Sequence, residues 1–155
     1  MGWRLWLVGE TPFGMRLRSV FHETEWQPCQ AVRAACLARH ALRIRWPFTH
    51  RAGRHAAPDT NCTCGLYAAR PEWLLEHLSS QKERHAVGRV MLWGEVVECE
   101  QGWRGAYAYP AHLYVPRLAT DDGPAAVQKT AHALEVYGVP VEQTSDVALE
   151  LLAAA

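Results

Sequence analysis

The chain has 155 residues, 49% of them apolar and 21% charged, with as many basic as acidic side chains. That length suits one domain, read as 1–155, and the apolar share excludes an intrinsically disordered chain. Zero net charge excludes a molecule drawn as a whole to nucleic acid or to an anionic membrane.

In chain order, residues 3–8 set Arg4 among bulky side chains and read as a strand. Residues 15–21 alternate apolar side chains with Arg16, Arg18 and Ser19 and read as another. Gly9, Pro12 and Gly14 supply turn chemistry between them, giving an amino-terminal hairpin. From 30 to 46, Ala34, Leu37, Ala41 and Ile44 recur at helical intervals, which predicts a helix that Pro47 ends. Residues 49–61 lack periodicity and form a loop, long for a connection inside one domain; such loops are usually functional or tethered. Arg70-Pro71-Glu72 opens a second helix with Trp73, Leu74, Leu75 and Leu78 as its apolar stripe. Residues 87–99 carry the strongest strand signal, with Gly94 marking a bulge or bend. Gly102 turns the chain, and 103–109 and 113–115 return as strands. Asp121-Asp122-Gly123-Pro124 caps a helix over 125–137 that ends at Gly138. Residues 139–141 are extended, and Thr144-Ser145-Asp146 starts a short terminal helix.

No apolar run approaches the roughly 20 residues that span a bilayer. The apolar start, residues 1–10, lacks the cleavage site of a signal peptide. Five cysteines, an odd count with two of them one residue apart, argue against a secreted disulfide framework. A reduced, cytoplasmic setting is the expectation, with no membrane partner.

Cys62-Thr63-Cys64-Gly65 is the most informative local sequence. Two thiols separated by one residue can turn toward one cation, and the glycine lets the backbone bend so that its N–H groups face the sulfurs. Zinc takes four ligands in a tetrahedron and prefers thiolates and imidazoles. The preferred set is Cys36, His55, Cys62 and Cys64; the rival replaces His55 with His40, one helical turn after Cys36. No His-Glu-x-x-His pattern is present, which favours a structural site over a catalytic one. Cys29 and Cys99 are not expected among the ligands. The expected fold is α+β: a small, strongly bent antiparallel sheet or open barrel, flanked by helices, with a metal-tethered loop.

Charge is unevenly spread. Between Trp26 and Pro58 there is no acidic residue, while Arg33, Arg39, Arg43, Arg45, Arg51 and Arg54 all fall there, a solvated basic face or an anion-binding one. Glu98 and Glu100 share a strand face that excludes Glu95 and read as solvated rather than as catalytic carboxylates.

The stretch 88–97, Gly-Arg-Val-Met-Leu-Trp-Gly-Glu-Val-Val, leads into Gly102-Trp103-Arg104-Gly105-Ala106-Tyr107. Over residues 87–115 this strand–turn–strand rhythm resembles the small barrels of the PUA-like group, of the ASCH and EVE type. Members of that group commonly bind RNA or modified bases in an aromatic-lined cleft. The resemblance implies Trp93, Trp103, Tyr107 and Tyr109 as ligand-stacking residues, while Arg39, Arg43 and Arg51 would meet phosphate. The first functional reading is therefore a zinc-stabilised binding module for nucleic acid or a small aromatic ligand. A small-molecule enzyme using a metal or Cys/His site, and an adaptor presenting a Trp-rich apolar surface to another protein, are its alternatives. The sequence is silent on oligomeric state.

Overall fold

The computed structural model describes residues 1–22, 24–36, 55–78, 84–117 and 123–146. Among these residues eight strands join one mixed sheet: β1 (Gly2–Thr11), β2 (Gly14–Ser19), β3 (Glu25–Trp26), β4 (Val32–Arg33), β5 (Leu66–Ala69), β6 (His85–Cys99), β7 (Gly102–Pro116) and β8 (Val141–Thr144). Among the described residues two α-helices accompany it, α1 (Pro71–Leu78) and α2 (Pro124–Leu134). The fold is thus α+β, though mostly sheet. No helix among the described residues is long and apolar enough to cross a membrane.

The expected hairpin is β1–β2, turned at Pro12 and Phe13, with Thr11 paired to Gly14. The long β6–β7 hairpin dominates the sheet. Its ladder shifts register between Arg89 and Val90 and again between Trp93 and Val96. The second shift is the bulge expected at Gly94, whose φ of 75° suits glycine. Pairings run from β1 to β6, β6 to β7, β7 to β5 and, through Trp3 and Ala69, back from β5 to β1. They make a ring of contacts without making a barrel.

Alternation along β1 explains why it is buried on both sides. Trp6 and Val8 enter one core with Leu17, Trp26, Val90, Ala108, Leu113 and the α2 residues Val127, Ala131 and Leu134. Trp3 and Leu5 point the other way, into a smaller core with Val87 and Leu74 of α1. Trp6 meets Trp26 edge to face at 5.4 Å, a favoured aromatic geometry. A 3-10 turn (Glu135–Tyr137) ends α2 at Gly138, in the left-handed region. The Tyr137 hydroxyl accepts from the Leu17 N–H at 2.9 Å and donates to the Trp26 carbonyl at 2.5 Å, tying the helix end to β2 and β3.

Three sequence expectations need correction. The sheet is not wholly antiparallel, because β8 runs parallel to β7. Residues 103–109 and 113–115 belong to one continuous strand, β7. The helix expected from residue 30 does not begin there: Val32 and Arg33 pair with Ala108 and Tyr107 as β4. At Val32 and Arg33 the free backbone edge of β7 outweighs a local helical apolar pattern. Cys36 accordingly follows a strand rather than riding on a helix. Residues 37–46 of that expectation, and those of the short terminal helix beyond 146, lie outside the described residues.

Candidate metal centre

The CxC turn is built by short-range hydrogen bonds. Asp59 accepts from the Asn61 N–H through its carboxylate at 2.8 Å and from the Cys62 N–H through its carbonyl at 3.1 Å, the fold of an Asx-turn. Gly65 follows at φ 130°. A Cβ there would stand 2.9 Å from the Arg104 Cβ and 3.1 Å from the Pro58 Cβ, so only glycine passes this point unstrained. From Gly65 the chain enters β5, which pairs with β7 through Leu66–Gly105 and Tyr67–Arg104.

That pairing places Arg104 behind the turn. It is only 7% exposed, and its Nη1 donates to the carbonyls of Cys64 at 2.9 Å, Cys62, and Asp59 at 3.4 Å. The Tyr67 hydroxyl donates to the Thr63 carbonyl, and burial raises that phenol above its ordinary range, which keeps it a donor. A guanidinium and a phenol thus hold the carbonyls of three consecutive residues, Cys62, Thr63 and Cys64, leaving the sulfurs to face elsewhere.

They face the other two ligand candidates. Cys36 Sγ lies 3.8 Å from Cys62 Sγ, and His55 Nε2 lies 3.3 Å from Cys64 Sγ. All four ligand atoms of Cys36, His55, Cys62 and Cys64 fall within 4.8 Å of one another. In a tetrahedral zinc site, bond lengths of about 2.0–2.3 Å put neighbouring ligand atoms about 3.6–3.8 Å apart. The observed set is therefore close to the size of such a cage and can hold a metal ion. His55, preferred in the sequence over His40, is the imidazole in the cluster; His40 lies outside the described residues. Cys29 and Cys99 are not in the cluster: the Cys99 thiol donates to the Gly102 carbonyl at 3.4 Å, and Cys29 is exposed.

Electrostatics favours thiolate at one sulfur. The Cys64 backbone N–H, foremost, lowers the Cys62 thiol to about 7. Burial, foremost, together with the neighbouring Cys62 and Cys36 sulfurs, pushes Cys64 up to about 11. Paired sulfurs that cannot both ionise alone are what a dication relieves.

The stacking residues implied by the resemblance are only partly gathered. Trp93 and Tyr107 are opposite one another on β6 and β7, with rings 6.0 Å apart and 16° from parallel. Trp103 lies elsewhere, under the Arg70 guanidinium at 4.7 Å. Tyr109 uses its hydroxyl to accept from the Cys29 N–H and to donate to the Tyr137 carbonyl. Arg39, Arg43 and Arg51 lie outside the described residues. Glu98, expected to be simply solvated, meets Arg70 at 2.6 Å in an exposed pair, a contact of little energetic consequence. Arg104 was missed in the sequence. Its signal was a charged residue at an inward position of a strand, where burial demands partners.

No protein-family model, curated protein or solved structure matches this chain.

Proposed function

We propose that Cys36, His55, Cys62 and Cys64 hold a structural zinc ion, and that the chain is a zinc-clipped module that binds nucleic acid through arginine–phosphate contacts. The convergence of four protein ligand atoms within 4.8 Å carries the reading. Tetrahedral sites of thiolate and imidazole suit zinc or iron–sulfur chemistry, and a mixed set with one histidine is a common zinc combination. Four protein ligands fill the tetrahedron, which argues for a structural ion and against an enzyme that needs an open metal position.

Charge supports the same ligand set. A dication with three thiolates and a neutral imidazole carries one net negative charge. Arg104 brings one positive charge to the same turn, and its hydrogen bonds among the described residues go to carbonyls. A buried guanidinium needs a counter-charge, and the occupied site supplies it.

The clip has a consequence for the basic stretch. Cys36 and His55 bound residues 37–54, which carry Arg39, Arg43, Arg45, Arg51 and Arg54 and no acidic residue. An ion that joins Cys36 to His55 ties together the two described residues that bound this stretch, and a chain tied at both ends loses less entropy when it meets a polyanion. Guanidinium groups match phosphate in both charge and shape.

The test is a fluorescence-anisotropy titration of an oligonucleotide against the zinc-loaded protein over a range of salt concentrations. Affinity that falls steeply with salt, and falls further in the Arg39→Glu/Arg43→Glu/Arg51→Glu variant, supports the reading. Affinity indifferent to both salt and charge reversal overturns it.

A further inference from the structure

We infer that Trp93, Tyr107 and Arg33 form a surface on which the bases of a single-stranded nucleic acid stack; this rests on the nucleic-acid reading above and adds the form of strand taken. Arg33 pairs with Tyr107 across β4–β7, and Tyr107 pairs with Trp93 across β7–β6. Directly opposed residues of an antiparallel ladder project to the same side. One row across the sheet therefore reads guanidinium, phenol, indole.

The row is open. Trp93 is 39% exposed and Met91, two residues along on the same face, 47% exposed. The two rings lie nearly parallel with their centroids 6.0 Å apart, and the indole stays exposed beside the phenol. Backbone geometry supports the pair: a Cβ on Gly94 would stand 3.0 Å from the Tyr107 ring, and the glycine lets that ring lie against the bulge. Large aromatics on strands ordinarily turn into a core, as Trp3, Trp6 and Trp26 do here.

Charge selects the occupant. Arg33 is exposed and stands in the same row. Three residues later the chain reaches Cys36, where the acid-free arginine stretch continues. An exposed ring pair in one row with an exposed cation suits a flat group joined to an anion, and every nucleotide is one. A duplex keeps its base faces covered by their own neighbours, so only unpaired bases reach the indole.

The experiment titrates the zinc-loaded protein with a labelled oligothymidylate of about 12 nucleotides, within the usual span of stacking grooves, and with a duplex of the same length. Single strands are expected to bind more tightly than duplex. Trp93→Ala should weaken single-strand binding by about 5- to 150-fold, the loss expected for one stacked base, and leave the salt slope unchanged. Trp93→Phe should restore most of the affinity, and Arg33→Ala should lower the salt slope by about one. Salt-dependent binding that Trp93→Ala leaves within about twofold, or that is equal for duplex, overturns the stacking surface while the phosphate reading stands. Self-association that Trp93→Ala abolishes, with oligonucleotide affinity untouched, assigns the surface to a second copy and overturns it too. Failure of every oligonucleotide to bind overturns both readings.

Discussion

Replacing Arg104 by methionine probes the link between the sheet and the Cys/His cluster. The substitution keeps much of the buried volume and removes the donors to the Cys62, Cys64 and Asp59 carbonyls. Hydrogen bonds from a charged donor contribute about 1.5–3 kcal/mol each. The bond to Asp59, at 3.4 Å, is weak, and bonds from one guanidinium do not add in full, so about 3 kcal/mol is a fair total. The turn it holds is the one that presents two sulfurs, so most of this loss is felt as metal affinity. At 1.4 kcal/mol per decade, that is about a hundredfold, at the top of the 10- to 100-fold range usual for groups that orient metal ligands. Competition with a chromophoric chelator measures it directly. Arg104→Lys, which keeps the charge without the planar fork, should fall between native and Arg104→Met. Native metal affinity in Arg104→Met would refute the reasoning.

Other outcomes follow from the same geometry. Gly65→Ala forces a side chain into φ 130° and against Arg104; it should cost more than about 1 kcal/mol in urea denaturation and weaken metal binding as well. Because burial holds Cys64 as a thiol up to about 11 while Cys62 ionises near about 7, metal binding must release protons. Affinity should therefore rise with pH across about 6–8, with proton uptake by buffer visible in calorimetry; a flat profile would count against thiolate ligands. Tyr137→Phe should cost about 1–3 kcal/mol at neutral pH, since the Leu17 N–H loses its acceptor. Burial raises the Tyr137 phenol from 10.0 to about 12, so folding favours its neutral form. Its contribution is complete below about pH 10 and lost as pH rises toward 12, and Tyr137→Phe should lose less stability than the native chain over that interval.

The Cys/His cluster was legible in the sequence because few residue types bind soft cations, and His55 was the preferred imidazole because it shares a loop with Cys62 and Cys64. The hairpins and α2 were legible because turn residues and the apolar period agree there, as at Gly94, Gly102 and Gly138. The stretch after Gln30 was not. Its helical spacing is local, whereas β4 exists because residues more than 70 positions away, Tyr107 and Ala108, offer a backbone edge. What Arg104 bonds to was not legible for a related reason. Its partners are carbonyls of a turn some forty residues earlier, and nothing in the sequence marks a carbonyl as waiting for a donor. The aromatic set was half legible: alternation on β7 put Trp103, Tyr107 and Tyr109 on strand positions, but only the register with β6 separates Tyr107, beside an exposed indole, from the other two.

Metal analysis of protein purified without added metal decides whether Cys36, His55, Cys62 and Cys64 hold zinc. About one zinc ion per chain is expected, lost together with much of the thermal stability in a Cys62→Ser/Cys64→Ser variant. A metal-free native protein, or a variant that keeps its zinc and its melting temperature, would contradict it.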